Sequence, residues 1–311
     1  MDASEISWLP VFGYGGHIKA TTKELTIVRG SVTQHYPLSE IRHLLVVGGH
    51  TLHMSAVVNL VKSGSAISFF DIDGTPLGFL KPYGYHADED VHAAQYRAGP
   101  HRYAVTVALA ALQSRLLQIA RLSDAAERQY LYEGELILLH QARGELEHMV
   151  TMDEIRRLHR LTTDMYYEIL GRTIPPELGY RRRTARPHDD PVNAMLSLGY
   201  AMLYGNCCVA AIGAHLDPDC GMLQEGEGGL VHDIIEPMKA EMVDKIVFSV
   251  ARDTLLPKDY DCSSKRCYLS EELTGLLVGM LRSSIDQSRL DAQVELFRDA
   301  LMHNREYYVL Y

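Results

Sequence analysis

Apolar and polar residues alternate in short runs through the first 84 positions of this chain and recur at helical spacing through the rest. Glu24–Arg29 alternates and stops at Gly30, which predicts a half-buried strand. His43–Val47 is a continuous apolar run closed by Gly48 and Gly49, the pattern of a buried strand. Ala66–Phe70 is a third strand, and Asp71-Ile-Asp-Gly74 supplies hairpin turn chemistry ahead of Leu77–Leu80. Between these, Met54–Val61 has helical spacing and ends before Gly64. Lys81-Pro-Tyr-Gly84 reads as a linker. Beyond it the expected helices are Tyr103–Arg121, Asp124–Arg143, Asp153–Leu170, Val192–Ile212, Ile234–Arg252 and Ser270–Ile285, and strand signals nearly vanish. The expected class is α+β, with an N-terminal β-rich domain over residues 1–84 and a larger all-α domain over residues 85–311.

Length and composition agree with two cores. A chain of 311 residues exceeds the usual single-domain size, and 47% hydrophobic residues suffice to fill both. No apolar run suggests a membrane span, and the Asp- and Glu-bearing start resembles no signal peptide. Five cysteines, an odd number in a large chain, point to the reducing cytoplasm rather than a disulfide framework. Cys262 and Cys267 lack a second ligand pair nearby and do not make a zinc site. The net charge of −10 counts against a nucleic-acid-binding surface spread over the whole molecule, while leaving room for a local basic patch.

Two segments carry candidate chemistry. Asp233 and Glu236 stand three apart among Leu230, Ile234, Ile235, Met238 and Met242, so a helix projects both carboxylates from one apolar-flanked face. Such a pair is costly unless a proton or cation neutralises it, and a hard divalent ion is one remedy. His215, Gln224 and His232 cluster around it in sequence. Upstream, Arg181, Arg182, Arg183 and Arg186 make the densest basic run, suited to phosphate contacts, with Tyr180 placed to add stacking. Asn193 is expected to cap the helix that follows.

Taken in order, Val46-Val-Gly-Gly-His50, Ile67–Gly74, Gly78-Phe-Leu80, Arg183–Pro187, Asp190-Pro-Val-Asn-Ala194, Leu198-Gly-Tyr200, Leu216-Asp-Pro218 and Asp233-Ile-Ile-Glu236-Pro237 resemble one family. It is the CRISPR-associated endonuclease and integrase, the catalytic subunit of spacer acquisition. The resemblance implies a β domain that mediates homodimerisation and a helical domain that cuts and joins DNA with Mn²⁺ or Mg²⁺. It also implies a small ferredoxin-fold partner subunit. Carried over residue by residue, the metal set falls on His159, Gln224 and Asp233, with Glu236 as a further acid. His159 stands where the family has glutamate, and Gln224 stands where it has histidine. Glu154 and Glu168 lie nearby but out of phase, and His215 or His232 is placed to supply an imidazole. Two readings follow: an active metal-dependent DNA endonuclease or integrase, and a degenerate member kept as a dimeric DNA-binding scaffold.

Overall fold

A computed structural model describes residues 8–125, 130–184, 187–263 and 266–310. The chain divides into two compact units. One comprises Met1–Ala98, Tyr204–Pro218 and Val294–Arg305, and the other Gly99–Leu203, Asp219–Gln293 and Glu306–Tyr311.

The first unit is built on a six-stranded mixed sheet. Its strands are β1 (Trp8–Ala20), β2 (Glu24–Arg29), β3 (Val32–Pro37), β4 (His43–Leu52), β5 (Ala66–Phe70) and β6 (Pro76–Leu80), in the order β3-β2-β1-β4-β5-β6. β4 runs parallel to β1 and β5, and the other pairs are antiparallel. A parallel pair needs a crossover, and α1 (Met54–Lys62) supplies it between β4 and β5. Leu44 and Val46 pack in one cluster with Ala56 and Leu60 of α1. On the other face, Leu45 and Trp8 lie so close to Gly213 that a Cβ there would meet them at 2.9 and 2.8 Å. Coverage of both faces is why β4 reads as an unbroken apolar run. The Asp71–Gly74 turn also abuts a helix: a Cβ on Gly205 would sit 1.7 Å from the Asp73 carbonyl oxygen, so only glycine fits.

Two strands escape the alternation rule. β1 carries Gly13 and Gly15 at positive φ and a register shift between Tyr14 and His17, which blur its pattern. β3 is an almost wholly exposed edge strand with a polar sequence. The unit is completed by α2 (Ala87–Arg97) and by the ends of two later helices.

The second unit is helical. Its elements are α3 (Pro100–Ala125), α4 (Glu135–Leu146), α5 (Met152–Gly171), α6 (Pro191–Gly213, whose residues from Tyr204 belong to the first unit), α7 (Gly229–Ile235), α8 (Lys245–Asp253) and α9 (Glu271–Ser284). α10 (Gln287–His303) crosses to the first unit at Val294, and β7 (Tyr260–Cys262) pairs with β8 (Cys267–Leu269) in a short hairpin.

Three expectations need correction. α4 begins only at Glu135, behind Gly134 at φ +90°, rather than at position 124; residues 126–129 lie outside the described residues. Ile234–Arg252 is not one regular helix: α7 passes through a 3₁₀ turn at Glu236–Met238 and a π turn at Ala240–Asp244 before α8. Pro237 accounts for this, because it has no N–H for the carbonyl of Asp233 and its ring crowds that carbonyl. Cys262 and Cys267 form a disulfide across the β7–β8 hairpin. Pro100–Leu122 and Pro191–Gly213 are long and apolar enough to cross a membrane, but 67% and 61% of their most apolar windows are buried inside the protein, as in core helices, in keeping with the expected absence of a span.

Candidate functional site

Thr151 opens α5 with a capping box: its hydroxyl accepts from the Glu154 backbone N–H, and the Glu154 carboxylate accepts from the Thr151 N–H. Glu154 is therefore engaged as a cap. From that start, Arg156, His159, Arg160, Thr163 and Tyr167 fall at helical spacing along one face and line a cavity of about 580 Å³. Arg183, Tyr200 of α6, the Leu223–Glu225 loop, and His232, Ile235, Glu236 and Lys239 close its other sides. Glu168 does not line it, and His215 belongs to the first unit, where its ring stacks on His43 at 5.1 Å.

Glu236 is the buried acid at the centre of this wall, 6% exposed. Its Oε1 accepts from the guanidinium of Arg115, itself 2% exposed, and its Oε2 accepts from Lys239 Nζ at 2.5 Å. His159 Nε2 approaches Oε1 at 3.4 Å. Burial pushes the carboxyl up, but Lys239, Arg115 and His159 together hold it well below its ordinary value. Burial lowers the His159 imidazole in turn, against the pull of Glu236, so it is neutral near pH 7. Its buried Nδ1 has no hydrogen-bond partner among the described residues.

Asp233 takes another role. Its Oδ2 accepts from the backbone N–H groups of Met222 (2.5 Å) and Leu223 (2.9 Å), and its Oδ1 accepts from that of Gln224 (2.9 Å). The carboxylate therefore pins the loop that carries Gln224 into the cavity wall, and Asp233 itself does not line the cavity. Burial raises its carboxyl to about 7, even against these three donors. The loop closes tightly: a Cβ on Gly221 would lie 2.3 Å from the Gln224 carbonyl oxygen, and the Asp219 carboxylate accepts from the Gly228 N–H.

The arginine run separates into distinct roles. Arg183 donates to Asn193 Oδ1 (2.8 Å) and Ser197 Oγ (2.7 Å), and its guanidinium lies 5.3 Å from the Tyr200 ring centre. Asn193, fully buried, donates from Nδ2 to Asp190 and to the Arg182 carbonyl. The helix cap is Asp190, whose Oδ1 accepts from the Asn193 N–H, rather than Asn193. Arg181 and Arg182 are exposed, and Arg186 lies outside the described residues. Tyr180 is buried edge-on against Phe248 at 5.5 Å and is not available for stacking on a base.

Beneath the cavity, Asp244 accepts from the hydroxyls of Tyr166 (3.0 Å) and Tyr200, and Tyr200 shares a 2.5 Å hydrogen bond with Tyr167. Burial raises Asp244 to about 6 against these donors. Lys239 Nζ lies 5.2 Å from the Tyr200 ring centre, so Tyr200 serves both cations.

These residues do not fit a Mn²⁺ or Mg²⁺ site. Such ions need several oxygen ligands, chiefly carboxylates. Both oxygens of Asp233 are taken by backbone N–H groups, and both oxygens of Glu236 by cations. Among the described residues, no three histidine, cysteine or carboxylate groups converge where an ion could sit. His159, Gln224 and Glu236 do meet at the cavity, but bring a single, already neutralised, negative charge. Sequence reasoning passed over Arg115, Arg156, Arg160 and Lys239. Arg156 and Arg160 at i, i+4 were the available signal, whereas nothing local marks Arg115, 121 positions before Glu236.

Comparison with known proteins places this arrangement. The model of the CRISPR-associated protein Cas1 family matches residues 9–282, and the chain belongs to that family. It is 36% identical over 299 residues to the putative CRISPR-associated endonuclease Cas1 2 of Methanospirillum hungatei JF-1, covering 96% of this chain and 99% of that protein. With the CRISPR-associated endonuclease Cas1 1 of Thermus thermophilus it shares 31% identity over 76% of this chain and 73% of the relative. Among solved structures, a casposase bound to integration product superposes with a TM-score of 0.81 at 18% identity over 97% of each chain. A TtCas1–DNA complex gives 0.63 at 17% identity, covering 95% of this chain and 96% of the other. At such identities the likeness to the solved structures is one of fold.

Proposed function

We propose that this chain acts on DNA in CRISPR adaptation and seats the sugar–phosphate backbone in the cavity along α5. The observation that carries this reading is the charge of the wall: Arg156, Arg160, Arg183 and Lys239 face it, against Glu225 and Glu236. Glu225 pairs with Arg156 at 2.6 Å and Glu236 with Arg115, a residue behind the wall. Arg160 is exposed and has no ion-pair partner among the described residues, so it is open to an incoming phosphate. A phosphate contact of this kind is non-specific in sequence and strongly salt-dependent. Arg160→Ala should weaken binding of duplex and branched DNA about equally and reduce the slope of log Kd against log salt by about one. Fluorescence anisotropy across a salt series measures both, and an unchanged slope removes Arg160 from the DNA seat. Arg182, exposed and next in sequence to cavity-lining Arg183, is proposed to extend the same seat.

Cutting and joining of DNA strands is a second reading, favoured by the endonuclease names of the relatives. Since the side chains present do not form a divalent-ion site, that chemistry is not routed through one. Strand joining on branched DNA by the wild-type protein supports this reading, whereas binding without turnover at any metal concentration leaves a DNA-holding subunit. A homodimer formed through the β-rich unit and a small ferredoxin-fold partner, in the cytoplasm, complete the proposal. Leu77 and Phe79 on the edge strand β6, each 67% exposed, supply apolar surface for a protein contact. Leu77→Asp with Phe79→Asp should convert a dimer to a monomer in light scattering after size exclusion, and an unchanged mass locates the contact elsewhere.

A further inference from the structure

We infer that the cavity takes a DNA phosphate directly, without a divalent ion, because Arg115 and Lys239 stand on the carboxylate that an ion would need. The inference rests on the reading of the cavity as the DNA seat, and adds that the protein's own cations supply the positive charge there.

Neither acid offers a free ligand. Glu236 presents no oxygen clear of a cation: Arg115 holds Oε1 and Lys239 holds Oε2. Asp233 presents none clear of a backbone N–H. An ion entering from the cavity would have to displace Lys239 from Oε2, and to take Oε1 as well it would have to displace the Arg115 guanidinium, 2% exposed and also bonded to Thr163 Oγ1 at 2.8 Å. A guanidinium expelled from that position has no water to move into, so displacement leaves a buried unpaired charge. The same ion would also face Arg160 and Arg183 across the cavity, which repel it.

For a phosphodiester every one of these signs reverses. Lys239 gives one hydrogen-bond donor to Glu236 and keeps others toward the cavity it lines. Arg160 is open, and Thr163 and Gln224 add polar groups to the wall. Glu236 then acts as an anchor, holding Lys239 beside the Tyr200 ring and Arg115 beneath it, so that the cationic wall is formed before DNA arrives. The two departures from the family pattern fit this role: His159 and Gln224 bring no charge that would compete with a phosphate.

The test uses the full-length chain. Isothermal titration with MnCl₂ in the absence of DNA should show no binding tighter than about 1 mM, the weak end of protein sites for such ions. The affinity for a fluorescent branched DNA should stay within about twofold when EDTA replaces Mn²⁺ at matched ionic strength. Lys239→Ala should raise Kd about tenfold in EDTA. Submillimolar Mn²⁺ binding that is lost in the Arg115→Met, Glu236→Gln double variant overturns the inference. That double variant removes both partners of the buried pair and leaves Lys239, 17% exposed and lining the cavity, without Glu236; circular dichroism verifies its fold. A tenfold loss of DNA affinity in EDTA overturns it as well. If neither Lys239→Ala nor Arg160→Ala changes DNA affinity, the DNA seat itself is refuted, whatever the Mn²⁺ titration shows.

Discussion

Arg115→Met is expected to destabilise the protein by about 3–5 kcal/mol at pH 7, the cost of leaving a buried carboxylate without its partner. Arg115 and Glu236 are both nearly inaccessible, and their hydrogen bond joins α3 to the 3₁₀ turn after α7. Lys239 remains on Oε2 in the variant, so part of the charge stays compensated and the lower end of the range applies. Adding Glu236→Gln should recover much of the loss, because an uncharged pair of similar volume replaces an ionic one. The pH dependence carries the same signature. The folded-state value of Glu236 lies well below its ordinary 4.5, so its contribution is present above that pH and is lost as pH falls through the folded value. The difference between wild type and Arg115→Met should therefore be full near neutrality and shrink under acid conditions below about pH 4.5. Urea unfolding at several pH values measures it, and a difference independent of pH would mean that Glu236 is not the group left unpaired.

Asp233→Asn is expected to cost about 1–3 kcal/mol, through a different route. The carboxylate accepts three backbone hydrogen bonds from Met222, Leu223 and Gln224, whereas an amide oxygen can keep the two that share one carboxylate oxygen and its NH₂ is turned against the third donor. With one buried donor left unsatisfied, the cost is about 1–3 kcal/mol. Hydrogen exchange should localise the damage: the amides of 222–224 should lose protection well before those of α5. Uniform loss across the second unit would show instead that the loop and the helices open together. Loss of activity in an Asp233 variant would accordingly report loop geometry, which makes Lys239→Ala and Arg160→Ala the cleaner probes of the cavity.

Much of the architecture was legible along the chain because it is local. β2 and β5 coincide with their alternating or apolar runs, β6 and α1 extend theirs by one residue, and β4 runs on through Gly48 and Gly49 to Leu52, twice the expected length. The ordered motifs from Val46 to Pro237 pointed to the family that the comparisons confirm. What escaped had no local period. β1 is interrupted by glycines, β3 is polar because both its faces are wet, and the helix around Glu236 is broken by a proline that a 3.6-residue pattern absorbs.

The chemistry of the site divides the same way. Sequence alone determined that an arginine run and an acidic pair, the family's Asp-x-x-Glu segment, both occur in the helical half, since those are matters of composition and spacing. Only tertiary structure decided which groups meet. It commits Asp233 to a loop, sets Arg115 and Lys239 on Glu236, and turns one face of α5 into a cationic wall. The reason is that a carboxylate's role depends on which donors its burial brings within reach, and those donors come from positions as far as 121 residues away.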